Sequence, residues 1–408
     1  MTATAAYTAE RCPDVDAFLQ RWAALLTAAA LPFHSLLWLR SWCTTLGASD
    51  GRQPLLVAVR CRDSGADVML LALCSRPLRL GPLTLQLVEF ADATVVDYNA
   101  PLLAAGWAGD DPAQAATRAH AIWQAVRGAI APGHDVLRLQ KMLPATLDSR
   151  PPVANPLALA LPVQAGEMQG TAVTIGTSTS TSTSTSTSTS TSTSTSTSAG
   201  TSEADWDAWR YTLDKRVRKE FERAWRVYTR SPQARFERIT DPALAQQAYA
   251  HLAARQAERL RATGHDYRLD QPAYSAFYQR LVEGGLADGS VVLTALRDGD
   301  TWVAVQLGVA NSRRCIALRL CSEGGAWAAC SPGRLSCERT GHHLWTQGRL
   351  VMDFGIGAYH HKAVFQGSPV PLLDACVALS AWGKPWVALW LWRQRTKRRA
   401  NSVASASA

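Results

Sequence analysis

SVVLTALRDGDTWVAVQLGVANSRRCIALRLCSEGGAWAACSPGRLSCERTGHHLWTQGRLVMDFGIG, residues 290–357, decides the fold class. Ser290 to Arg297 and Thr301 to Ala310 are apolar runs flanking Asp298-Gly299-Asp300, a hairpin signal. Arg314 to Cys321 reads as a third strand. Ser331-Pro332-Gly333 then opens a helix running to about Thr346, and Leu350 to Phe354 is a strand ending in Gly355-Ile356-Gly357. Upstream, Trp206, Trp209, Leu213, Val217, Phe221, Trp225 and Tyr228 fall at three- and four-residue intervals on one helical stripe. Arg235 to Ile239 follows as a short strand, then Pro242 to Ala262 and Pro272 to Glu283 as helices.

The same order occurs earlier. Asp14 to Ala29 and Ser35 to Leu46 have helical apolar spacing, and Pro54 to Cys61 with Val68 to Cys74 form a hairpin. Leu83 to Phe90 is a strand, Pro112 to Ile130 a helix and His134 to Met142 a strand. Both halves read helix, helix, hairpin, strand, helix, strand, which predicts a structural duplication. Between them lies an unbroken Thr-Ser alternation from Thr177 to Ser198. With no apolar residue to bury, ordering it costs backbone entropy without return, so it reads as a linker. The expected organisation is an N-terminal domain over 1–165, a linker over 166–202, a second domain over 203–367, and a C-terminal helix with a basic tail over 368–408.

The 408 residues are 47% apolar and 18% charged, a globular composition long enough for two cores. The net charge of +9 is unevenly placed. Residues 1–200 hold 13 Lys+Arg against 14 Asp+Glu, so an excess of +10 lies in 201–408. Of this, +6 belongs to Lys215–Arg238 and +5 to Arg393–Arg399. Met1 to Glu10 lacks the basic start and apolar core of a secretory signal, and nine Cys without CxxC spacing suggest reduced thiols. A cytoplasmic protein is expected. Cys315, Cys321, Cys330 and Cys337 suit neither a zinc ribbon nor a redox pair, so no metal is expected.

Three segments concentrate chemistry. Ser331-Pro332-Gly333 at a helix start offers free N–H groups and a favourable dipole to a phosphate, although Ser-Pro starts also serve simply as caps. Asp353-Phe354-Gly355-Ile356-Gly357 leads into Tyr359, His360, His361 and Lys362. The kinase reading of this DFG fails, because the Gly-rich loop and the His-Arg-Asp loop are missing. Lys215-Arg216-Val217-Arg218-Lys219 can attract a polyanion or form a solvated helix face. The basic tail follows Trp382, Trp386, Trp390 and Trp392, a pairing that suits either a membrane surface or a packed helix.

In this order the segments resemble the GNAT acyltransferase superfamily, specifically its CelD-like branch associated with cellulose and exopolysaccharide biosynthesis. The carrying residues are Pro32-Phe33-His34-Ser35 with Trp38-Leu39, Asp97-Tyr98-Asn99-Ala100-Pro101-Leu102, Lys215–Lys219, Ser331-Pro332-Gly333, and Asp353 to Gly357 leading to Lys362. The resemblance implies an α/β fold of two tandem GNAT-like domains, each a mixed twisted sheet flanked by helices, related to the Fem-type transferases. It implies acetyl-CoA or another acyl-CoA as co-substrate, held by Ser331, Pro332, Gly333 and Arg334. Asp353, His361 and Lys362 would line the side of a small-molecule or saccharide amine acceptor, His361 acting as acid or base. Family members continue the DFG-x-G element with an acidic residue and then Tyr-Lys, where this chain has Ala358 and His361-Lys362. Two rivals are a Fem-like transferase using aminoacyl-tRNA, so that tRNA becomes a partner, and a non-catalytic scaffold held at a membrane by the tail.

Overall fold

Asp-Pro pairs open two of the long helices of this computed structural model. It describes residues 6–27, 30–108, 111–176, 203–264, 268–357 and 360–406. The Thr-Ser tract, Ala358 and the side chain of His361 lie outside the described residues. The first half runs β1 (Tyr7–Arg11), α1 (Val15–Leu25), α2 (Leu36–Thr44), β2 (Gln53–Cys61), β3 (Asp67–Leu80), β4 (Leu83–Phe90), β5 (Leu102–Leu103), α3 (Pro112–Ile130), β6 (Val136–Met142), α4 (Pro156–Ala160), β7 (Val163–Ala165) and β8 (Gly170–Thr174). The second runs α5 (Glu203–Thr212), α6 (Lys215–Tyr228), β9 (Ala234–Arg238), α7 (Pro242–Ala262), α8 (Pro272–Gly285), β10 (Val291–Asp298), β11 (Thr301–Ala310), β12 (Arg314–Ser322), α9 (Pro332–Thr346), β13 (Val351–Ile356), α10 (His360–Ala363), β14 (Ser368–Val370), β15 (Leu373–Ala378) and α11 (Gly383–Ala406).

Asp111 and Asp241 cap α3 and α7, each followed by Pro at the first helical position, where a missing N–H costs nothing. The Trp206–Tyr228 stripe is two helices. Asp214 breaks it, its carboxylate accepting the Arg216 N–H at 2.7 Å to start α6 afresh.

The chain builds two mixed, twisted sheets flanked by helices, the α/β class expected. One has the order β1-β2-β3-β4-β6-β15-β7, with β5 beside β3; the other has β14-β8-β13-β12-β11-β10-β9. In each, an antiparallel hairpin leads to a strand, a helix and a parallel strand: β4-α3-β6 in the first, β12-α9-β13 in the second. The sheets correspond strand for strand, with one exchange. β8 precedes the Thr-Ser tract yet pairs with β13 in the second sheet, while β15 follows the second half yet pairs with β6 in the first. The boundaries read from composition therefore do not follow the sheets: residues 170–174, assigned to the linker, are a strand of the second sheet. Residues 368–370 and 373–378, assigned to the tail, are strands of opposite sheets. Composition marks where a chain has nothing to bury, and short strands crossing between sheets carry no such mark.

The halves also share a core. Trp38 on α2 meets Phe277 on α8 edge-on with ring centroids 4.9 Å apart, and a Cβ on Gly284 would lie 2.6 Å from Leu37 Cδ1. One buried cluster runs from Phe18 and Trp22 through Tyr98 to Tyr274 and Leu293. No helix among the described residues is long and apolar enough to cross a membrane.

Candidate active site

β12 and β13 are parallel neighbours for only three residue pairs, Arg314–Val351, Cys315–Met352 and Ile316–Asp353. Beyond them β12 continues to Ser322 and β13 to Ile356 with no further pairing, so the strands part. Ala317, Leu318 and Leu320, though on an internal strand, are consequently half-buried. The gap opens toward the carboxyl ends of both strands, the side where crossover units bind ligands.

α9 begins at this mouth. Ser331 is left-handed (φ 46°, ψ 62°), and its side chain makes no capping bond, so simple capping is not its role. The N–H groups of Gly333 and Arg334 have no acceptor among the described residues. A Cβ on Gly333 would sit 3.2 Å from Ser322 Oγ, which places the helix start against the end of β12. Arg334 donates from Nη1 to Glu220 at 3.3 Å and from Nη2 to Ser331 Oγ at 3.3 Å. Arg334 thereby ties α9 to α6, where Lys215, Arg216, Lys219 and Arg223 line a shallow concavity of about 510 Å³. Two separate sequence signals, the helix start and the basic cluster, are neighbours.

At the end of β13 the Asp353 motif meets the Asp97 motif from the other half. Asp353 is fully buried and holds three donors: Tyr98 OH at 2.7 Å, Arg314 Nη1 at 2.7 Å and the Gly355 N–H at 2.8 Å. Burial raises its pKa, opposed by Arg314 and these hydrogen bonds. Burial and the adjacent carboxylate push the Tyr98 phenol up, keeping it a donor. Arg314 also forks onto Asp148 with two 2.9 Å bonds, joining the halves through a buried ion pair. Asp353 is thus inaccessible, and its place in the site is to position the Gly355 turn and Tyr98.

Asp97 is the carboxylate that sequence reasoning passed over. It is half-buried, and no hydrogen-bond partner for it is found among the described residues. Gly355 lies at φ +65°, and a Cβ there would be 2.1 Å from Asp97 Oδ2. Only glycine fits, on both grounds. Burial raises the Asp97 pKa to about 7, with Asp353 and Asp92 adding repulsion and Lys141 and Lys362 opposing. Lys362 is buried at 6% exposure, its Nζ donating to Gly355 O at 3.2 Å and Ile356 O at 2.7 Å. Burial lowers its pKa, while Asp97 and Asp353 hold it up. The Asp97–Asn99 segment is pinned to β6, since the Asn99 N–H donates to Lys141 O at 2.8 Å. His34 supports it from below, buried and within 3.1 Å of Ala100 O; burial lowers its pKa to about 4, so it stays neutral. The signal was present in Asp97-Tyr98-Asn99, but of the charges that perturb Asp97 only Asp92 is near it in sequence; Lys141, Asp353 and Lys362 lie 44 to 265 positions away.

Among the described residues no three His, Cys, Asp or Glu side chains converge as metal ligands, and all nine Cys are unpaired. Burial pushes the Cys337 thiol on α9, near Lys362, up to about 12, which leaves it protonated and unreactive.

Residues 215–363 match the family model described as an acetyltransferase (GNAT) domain. No curated protein matches the chain. Among solved structures, FemX superposes with a TM-score of 0.56 at 13% identity, covering 93% of this chain and 99% of its own. The C-terminal domain of a putative lysylphosphatidylglycerol synthetase from Agrobacterium fabrum gives 0.48 at 11% identity, over 92% and 95% of the two chains. A tandem GNAT protein from the clavulanic acid biosynthesis pathway gives 0.44 at 10%, over 92% and 99%. At such identity the likeness to FemX is one of fold, and it spans both sheets. The chain therefore carries a GNAT acetyltransferase domain over residues 215–363, within a two-sheet fold shared with FemX, and is an enzyme of the acyltransferase class.

Proposed function

We propose that this protein transfers an acyl group from acyl-CoA to an amine. The observation that carries the reading is the parting of β12 from β13 with the free α9 N–H groups at its mouth. Gly333 and Arg334 would hold the pyrophosphate with their backbone N–H groups, the cationic α6 concavity adding attraction for the remaining phosphate. The half-buried aliphatic edge of β12 would take the pantetheine arm. When bound, acyl-CoA supplies the thioester that the amine attacks, the C–S bond breaking and the thiol leaving. Asp97 is the group we assign as base: it keeps solvent access, and a pKa near 7 lets it accept a proton from an acceptor ammonium at neutral pH. Lys362 and Asp353 hold the backbone turn against which Asp97 rests. The link to cellulose or exopolysaccharide synthesis, and with it a saccharide amine, is supported by the motif resemblance alone.

Calorimetric titration of the full chain with CoA tests this. We expect binding in the range of about 1 μM to 1 mM, weakened by salt, and lost by at least about tenfold in Gly333→Trp at unchanged circular dichroism. No CoA heat, or identical binding by the variant, sinks the reading; salt-sensitive retention of tRNA in its place would favour an aminoacyl-tRNA donor.

A second reading concerns location, favoured by how the indoles on α11 and just before it are sorted. Trp386 and Trp390 pack against Leu85, Leu87 and Cys376, whereas Trp382 and Trp392 are 71% and 60% exposed. With Leu389, Lys384, Arg393 and Arg395 also exposed, we propose that this outward face rests on an anionic bilayer. Flotation with phosphatidylserine vesicles should exceed flotation with neutral ones, and Trp382→Ser with Trp392→Ser should abolish the difference. Equal flotation in all four cases would refute it.

A further inference from the structure

The catalytic reading leaves a cavity of about 380 Å³ unexplained, in the size range of small-molecule sites. It lies over the first sheet and reaches the second at Ile356, next to Gly355 and Asp97. Its wall is rich in charge. Arg52, Arg76, Arg138 and Arg268 line it together with Glu89, Glu167 and Asp374, and with the Lys141–Asp92 pair (2.6 Å).

The clustering of Arg52, Arg76 and Arg138 follows from register. Gln53 faces Ser75 across the β2–β3 ladder, which sets the preceding Arg52 beside Arg76, and β6 brings Arg138 alongside β4. A single carboxylate serves two of the three: Glu89 accepts from Arg76 Nε at 2.7 Å and from Arg138 Nη2 at 2.7 Å. Arg52 reaches away, from Nη1 to Asp50 at 2.9 Å, and Asp50 is not part of the cavity wall. Burial alone would raise the Glu89 pKa, yet Arg76 and Arg138 hold it below its usual range, so its charge persists. Three guanidiniums against Glu89 and Asp50 leave an excess of +1 on this part of the wall. The guanidiniums are also under-used as donors. Arg52 is 9% exposed, and the buried Nε–H groups of Arg52 and Arg138 have no acceptor. A lone structural ion pair needs no third arginine, and three planar forks in one cavity match the oxygens of a phosphate.

Resting on the acyltransferase reading, we propose that the acceptor is a phosphate-bearing amine, its phosphate seated on Arg52, Arg76 and Arg138 and its amine directed past Lys141 toward Asp97. The net positive charge of the three arginines favours a phosphate over a neutral group. Asp374 and Glu167 on the same lining add carboxylates that suit an ammonium better than a second anion.

The test uses the full chain saturated with CoA, titrated by calorimetry with phosphoethanolamine and with ethanolamine. The phosphate-bearing amine should bind at least about tenfold tighter, and inorganic phosphate should compete with it. Arg138→Gln should weaken it by about tenfold. Glu89→Gln should tighten it severalfold, because it releases two guanidiniums from their shared carboxylate. The opposite signs separate a binding role from damage to the fold, which circular dichroism monitors. Equal affinity for the two amines, no heat from the phosphate probe, or weaker binding in Glu89→Gln overturns the proposal. Absence of CoA binding in the first step would instead indict the acyltransferase reading itself.

Discussion

Asp97→Asn is expected to abolish acyl transfer and at the same time stabilise the protein at alkaline pH. Removing a general base costs about 10²–10⁴-fold in kcat. For stability the sign follows from linkage. A carboxyl raised from 3.8 to about 7 binds its proton more tightly folded than unfolded, so the wild-type chain loses stability as pH rises between those values and carries the whole penalty above 7. Three pH units correspond to about 4 kcal/mol, and the partial solvent access of Asp97 brings the expected gain in Asp97→Asn to roughly 2 kcal/mol. That gain should be full above pH 8, shrink as pH falls through 7 and vanish near 4. Thermal melts at several pH values measure it. The wild-type rate should rise through pH 7 to a plateau, since the base must be ionised. His361→Gln provides the contrast: if it removes activity while Asp97→Asn keeps it, the base assigned here is wrong. A merely structural carboxylate would give lower stability on replacement, not higher.

How much of this was legible beforehand depends on the range of the interactions. Pro112–Ile130 and Leu83–Phe90 match their sequence-based bounds residue for residue, because Asp111-Pro112 capping and strand alternation are local signals. The β12-α9-β13 unit was equally readable, and with it the neighbourhood of Gly333 and Asp353. Asp353 itself was legible as a special residue but not as a buried one, since Tyr98 and Arg314 reach it from 255 and 39 positions away. The three-residue pairing that opens the cleft has no sequence mark either. On its other side β13 is irregular too, its ladder with β8 shifting register between Asp353 and Ile356, around Gly355. The four C-terminal indoles looked alike in sequence; only docking of α11 on β15 and β6 divides them into two packed and two exposed. Long-range burial, rather than propensity, accounts for what was missed.

The exchanged strands were the least visible feature and make the other large prediction: neither half folds alone, yet the halves hold together when cut. A fragment 1–176 lacks β15, whose Ala375 and Cys376 are 1% and 2% exposed against β6, and it lacks the Trp390 cover over Leu85 and Leu87. A fragment from 203 onward lacks β8, among the described residues the only partner of β14 and one of two partners of β13. Each missing strand uncovers several buried apolar side chains at about 1.5–3 kcal/mol apiece, comparable in sum with the whole stability of a domain. The fragments expressed separately should therefore aggregate or show no cooperative melt. With a protease site placed within Thr177–Ser198, the intact protein should be cleaved and still run as a 1:1 complex on size exclusion. Its melting temperature should then depend on concentration, because association has become bimolecular. Two independently folded monomers emerging from that column would mean that the strand exchange does not hold the halves together. The coupling bears on the site as well. Asp97 comes from one half, Gly355 and Lys362 from the other, and β8 and β15 fix the two halves in the register at which they meet.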